Sequence, residues 1–130
     1  MKVILPFHLN KVGAGFPSPA TDYVEDDIDL NIHLIKNIPS TFLIRVQGKS
    51  MNKVGIHNDD LLVVDKSLNP KNFSTVIANI NEELVVKTLI KKNNQSFLTS
   101  GSEEFKDKIN LTENPEIIIW GVVTYVIHAL

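Results

Sequence analysis

From Thr41 onward, apolar and polar residues alternate with the two-residue period of half-buried strands. Phe42, Ile44 and Val46 oppose Arg45 and Gln47 over 41–47, because successive side chains of a strand point to opposite faces. Further short runs rich in Val and Ile occupy 60–65, 75–80, 83–89, 96–99 and 117–127, with turn residues such as Asn69-Pro70 and Asn93-Asn94 between them. Regularly spaced short strands predict a mainly β, compact, barrel-like domain over 41–130. The first 40 residues differ. Gly13, Gly15, Pro17, Pro19 and Pro39 interrupt regular structure, and Glu25, Asp26, Asp27 and Asp29 form an acidic run that reads as solvated. This stretch reads as an extended arm, with 15–20 held strand-like by its prolines. Asp29 is placed to cap a short helix through Leu30, Leu34 and Ile35, which Pro39 ends.

Composition narrows the chemistry. At 130 residues and 43% hydrophobic, the chain fits one core and a short arm. It has no cysteine, which removes disulfides, thiolate catalysis and thiolate metal sites and suits a reducing cytoplasm. The apolar stretch 3–9 is interrupted by Pro6 and His8 and is too short to span a bilayer, so no membrane association is expected. The formal charge is -2 with scattered basic residues, which lacks the footprint of direct DNA binding. No helix-turn-helix reader and no internal repeat is visible. His8, His33, His57 and His128 show no metal-ligand spacing, so neither a metal nor a cofactor is expected.

Two residues carry candidate chemistry. Ser50 lies in Gly48-Lys49-Ser50-Met51 directly after a predicted strand, where Gly48 permits a tight turn that presents a hydroxyl. A serine needs a base before it is a nucleophile. Lys87, in Leu84-Val85-Val86-Lys87-Thr88-Leu89, falls on the strand face of Val85 and Leu89. There an ammonium is poorly solvated, and desolvation favours the neutral amine that can accept a proton. Taken alone, the same pattern also describes a lysine that runs its stem along the surface and keeps its head in water. A Ser50/His57 pair is a weaker reading, since His57 falls in a polar turn with no evident acidic partner.

The segments Gly15-Phe16-Pro17-Ser18-Pro19-Ala20, Asp22-Tyr23-Val24-Glu25, Ile28-Asp29-Leu30-Asn31 and Gly48-Lys49-Ser50-Met51 resemble the LexA/UmuD family of self-cleaving serine/lysine peptidases. Gly55-Ile56, Asp60-Leu61-Leu62-Val63-Val64-Asp65, Val85-Val86-Lys87 and Trp120-Gly121-Val122-Val123 recur in the same order, so the resemblance covers residues 13–130. It implies a LexA-like β catalytic domain over 41–130 and an arm over 1–40 that is cut at Ala14-Gly15. Ser50 would be the nucleophile and Lys87 the general base, with the backbone amides of Lys49 and Ser50 as oxyanion donors. It further implies a homodimer, activation by a RecA filament on single-stranded DNA, and service of the trimmed form 15–130 to an error-prone Y-family (UmuC-like) polymerase in the SOS response.

Two departures stand out. The family's Asp-Gly-Asp is Asn58-Asp59-Asp60 here, which puts Asp59 where glycine enters a left-handed turn more easily, and the segment before the cut is shorter. A rival reading of another class is a non-catalytic β-barrel interaction module with the arm as a docking peptide.

Overall fold

The computed structural model describes residues 4–8, 13–15, 25–101 and 108–130. The chain divides into two compact units, Met1–Lys36 and Asn37–Leu130. In the first, β1 (Ile4–His8) pairs antiparallel with β2 (Glu25–Asp29), in register from Ile4 opposite Asp29 to His8 opposite Glu25. The acidic run, expected to be a solvated part of an arm, is strand in its backbone. Charge composition speaks for the side chains, whereas the backbone amides still need partners, and the 4–8 segment supplies them. Helix α1 (Leu30–Leu34) follows at once. Its cap is as expected: the Asp29 carboxylate accepts from the amides of Asn31, at 3.0 Å, and Ile32, at 3.4 Å. The expected extended stretch 15–20 lies outside the described residues beyond Gly15.

The second unit is mainly β, as the alternating pattern predicts. Strands β3 (Thr41–Arg45), β4 (Leu61–Asp65), β5 (Thr75–Ile80), β6 (Glu83–Lys92), β7 (Gln95–Thr99), β8 (Ile109–Asn110) and β9 (Ile118–Ile127) form one antiparallel sheet. Their order is β3-β4-β9-β5-β6-β7-β8. Both faces are buried, which sorts residues by parity. On β5, Val76 and Ala78 join Leu89, Leu98 and Val122, whereas Ile77 joins Val46, Met51, Ile56, Leu62 and Val64. Two-residue turns fix the hairpin registers. Asn81-Glu82 links β5 to β6 and Asn93-Asn94 links β6 to β7, all four residues at positive φ (52°, 66°, 53° and 62°). This is the primed turn class whose twist matches that of paired strands. The pairing of β9 with β4 shifts between Val63 and Val64, and its pairing with β5 between Ile77 and Ala78. Such irregularities bend a long strand.

Strand β4 is the most buried, with Leu62, Val63 and Val64 at 0–2% exposure, and it ends in the buried carboxylate of Asp65. Asn37 Nδ2 donates to Asp65 Oδ2 at 2.8 Å; Ser40 Oγ (2.8 Å) and the amide and hydroxyl of Ser67 (2.8 and 2.7 Å) donate to Oδ1. The donors, led by Asn37 and Ser67, hold this carboxyl well below the usual carboxylate range against the opposing effect of burial. A group whose folded value is depressed lends stability that is complete above its unfolded value, near pH 4, and is lost as pH falls toward the folded one. Replacing Asp65 with Ala strands these donors and should cost about 2–3 kcal/mol in urea unfolding at neutral pH. The variant should also lose less further stability than the parent between pH 5 and pH 3. An unchanged midpoint, or a parallel acid profile, would mean that Asp65 does not organise this corner.

Candidate active site

Ser50 sits on a turn built by its neighbours. After β3 the chain stays tied to the loop before β4: the Val46 amide donates to Asp60 O and the Asp59 amide donates to Val46 O, both at 2.8 Å. Gly48, at φ 109°, turns the backbone, and its N–H donates to Asn58 Oδ1 at 2.9 Å. Met51, only 3% exposed, plugs the turn into the core, and a short 3-10 turn over Asn52–Val54 follows. It closes on Gly55 at φ 84°. A buried residue on one side and a hydrogen-bonded glycine on the other leave the exposed Lys49-Ser50 pair between two anchors.

Lys87 arrives from the middle of the sheet. Strand β6 lies between β5 and β7, so Lys87 is not on an edge, and the β5–β6 register sets it opposite Val76. Its side chain is half-buried. Ser50 and Lys87 line the same open cleft of about 410 Å³, whose apolar wall includes Ile44, Met51, Ile77 and Val86 and whose polar rim includes Arg45 and Glu83. The amine has a hydroxyl neighbour that the sequence reading passed over: Lys87 Nζ lies 3.1 Å from Ser100 Oγ, just beyond β7. Ala14 and Gly15 are exposed and belong to the other unit. The cleft thus brings a hydroxyl, an amine and an apolar wall together.

Two of the scattered histidines prove to share a partner. The carboxylate of Asp60, 2% exposed, lies 2.6 Å from His128 Nδ1, and its other oxygen accepts from the His57 amide at 2.8 Å. The His57 and His128 rings stand 5.2 Å apart, and the nearest His57 nitrogen is 3.9 Å from Asp60. Hydrogen bonding from His128, then from the His57 amide, lowers the Asp60 pKa despite its burial. The acidic neighbour that His57 lacked in the sequence reading is therefore Asp60. Among the described residues, however, His57 is not part of the cleft wall that holds Ser50 and Lys87. The trio's ligand-type atoms lie within 4.8 Å of one another. The hydrogen bonds already in place account for the carboxylate.

The larger unit is thus a mainly antiparallel β domain that carries a serine on a glycine turn and a strand lysine on one cleft. A family model described as "Peptidase S24-like" matches residues 6–124, and the chain belongs to that family. It is similar to Protein ImpA of Salmonella typhimurium, 44% identical over 127 residues covering 96% of this chain and 84% of the relative. Protein MucA of Escherichia coli is 36% identical over 121 residues, covering 93% and 82%. The LexA repressor of Mannheimia succiniciproducens is 32% identical over 121 residues, covering 92% of this chain and 56% of the repressor. The family expected from the residues is thus the one found. Among the described residues no helix is long and apolar enough to cross a membrane.

The turn before β4 bears out one expectation of strain. Asp59 has φ 71°, in the left-handed region, where a side chain costs about 1 kcal/mol relative to glycine. Its carbonyl accepts from Arg45 Nη1 at 2.8 Å, a contact that glycine retains. Asp59→Gly should therefore raise stability by about 0.5–1 kcal/mol in urea unfolding. A midpoint equal to or below the parent's would show that the turn stores no such strain.

Proposed function

We propose that this chain is a self-cleaving serine peptidase that uses Ser50 and Lys87 to cut its own Ala14-Gly15 bond. The observation that carries the reading is the shared cleft of Ser50 and Lys87, and membership of the S24-like peptidases supports it. The neutral Lys87 amine takes the Ser50 Oγ proton as Oγ bonds to the Ala14 carbonyl carbon. The backbone amides of Lys49 and Ser50 receive the charge that develops on the carbonyl oxygen. As the carbon–nitrogen bond breaks, Lys87 returns the proton to the Gly15 nitrogen. The amine then activates a water, which releases the acyl group from Ser50 and restores the hydroxyl. Ala14 is small enough for a shallow subsite, and Gly15 lets the backbone approach without a Cβ clash. Domain roles follow, with the arm over 1–40 as substrate and 41–130 as catalyst.

The biological setting comes from resemblance to the LexA/UmuD family. A RecA filament on single-stranded DNA stimulates the cut, and the trimmed form 15–130 serves as a homodimeric accessory subunit of an error-prone Y-family polymerase in SOS mutagenesis in the cytoplasm. The -2 charge fits contact with DNA through these partners rather than directly.

Intact mass of the purified protein, followed over time with and without RecA on single-stranded DNA, checks the reading. Residues 1–14 should be lost, faster with the filament, and faster as pH rises from neutral because the base must be deprotonated. Ser50→Ala and Lys87→Ala should each slow the cut by at least about 1000-fold. Cleavage at Ala14-Gly15 in either variant at the parent rate would sink the dyad. A chain that stays whole under every condition would favour the interaction module.

A further inference from the structure

The reading of Lys87 as a base leaves open how its amine is aimed. A lysine head rotates freely about Cε–Nζ, and a neutral amine accepts a proton through one lone pair, so its orientation decides whether that lone pair meets Ser50. Ser100 is placed to settle this. The β6–β7 pairing sets Thr88 opposite Thr99, which brings position 100 beside position 87, and Ser100 Oγ stands 3.1 Å from Lys87 Nζ. The next residue reaches the other half of the site. Gly101 has φ 82° and lies so close to Val54 that an added Cβ would collide with the valine side chain. Val54 closes the short turn that follows Ser50 and Met51. The Gly101 amide also donates to Thr99 Oγ1 at 3.1 Å, and Thr99 is 1% exposed, so the corner is fixed to the core as well. One strand end thus touches the lysine by hydrogen bond and the nucleophile's turn by packing.

We propose that Ser100 is a positioning residue for the peptidase reaction, its Oγ accepting an N–H of Lys87 so that the lone pair is directed toward Ser50. This rests on the Ser50/Lys87 reading above. A hydroxyl suits the task, because it fixes the amine by accepting a hydrogen bond without a negative charge that would favour the ammonium as strongly as a carboxylate does. The same hydrogen bond recovers Lys87 in one orientation after each proton transfer, when the amine must act again on water.

The test has two arms. In the first, cleavage of the full chain is followed by intact mass across a pH series for the parent, Ser100→Ala and Ser100→Thr. Ser100→Ala should lower the alkaline plateau rate about tenfold and move the midpoint of the profile to lower pH, since the ammonium loses an acceptor. Ser100→Thr keeps the hydroxyl and should hold the parent's plateau within about twofold. A lesion of folding alone would lower the rate at every pH without moving the midpoint. In the second arm, done in a Ser50→Ala background so that the chain stays whole, proton–nitrogen correlation spectra read the Lys87 amine directly. Its slowly exchanging signal, assigned with Lys87→Arg, should be present with Ser100 and lost with Ser100→Ala. Persistence of that signal, or an Ser100→Ala plateau equal to the parent's, overturns the proposal. Cleavage that survives Ser50→Ala overturns the dyad reading instead, whatever the Lys87 signal does.

Discussion

Strand β4 is apolar through its middle and has a buried carboxylate at each end, and the loops of the larger unit are organised around those two charges. A carboxylate taken out of water must recover its hydrogen bonds from the protein, and the cost of failing is what gives it authority over its surroundings. Asp65 draws in Asn37, Ser40 and Ser67, which fixes the entry to β3. Asp60 draws in the His57 amide and His128, which ties the loop before β4 to the chain just beyond β9. The turn of Ser50 is fastened to that loop through Val46 and Gly48 rather than to any strand. The turn of Ser50 therefore leans on a loop whose carboxylate, Asp60, is not among the residues that line the cleft.

Lys87 is positioned by a different kind of constraint. Two tight hairpin turns set the register of β5, β6 and β7, and a slip of one residue would send the lysine to the opposite face of the sheet. The turn of Ser50 thus depends on backbone and side-chain hydrogen bonds to one loop, and Lys87 on strand ladders. The two supports meet at the corner of Ser100 and Gly101, which contacts both. In the proposed proton transfer small shifts of geometry would weigh heavily, so a contact common to both supports matters more than its single hydrogen bond suggests.

The larger unit's strands were legible because period-two alternation and turn chemistry agree there, and Thr75–Ile80 is found with the limits the pattern gives. Limits drift where side chains stop reporting on the ladder. Strand β6 runs on to Lys92, beyond the last apolar residue, because its partner β7 continues beside it. The pairing of β1 with β2 was hidden for the converse reason, since acidic composition masked backbone that is hydrogen-bonded all the same. Ser50 and Lys87 were visible as residues, but their shared cleft follows from topology. Nothing local announces that His128 meets Asp60 across 68 positions, or that Ser100 meets Lys87. The departure at Asp59 was readable, because a left-handed turn asks for glycine whatever surrounds it.

The proposed chemistry and the architecture respond to pH in the same direction for unrelated reasons. A lysine base works only when deprotonated, which favours alkaline conditions. The carboxylates at the ends of β4 hold their donors only when ionised, and both have depressed pKa values, so their support is complete at neutral pH and fails only in acid. The carboxylate support is thus in place around neutrality, so a change in cleavage rate there is not a loss of the β4 scaffold. A drop in rate accompanied by unfolding belongs to the carboxylates. Cleavage followed above the acid range therefore reads the cleft on an intact scaffold.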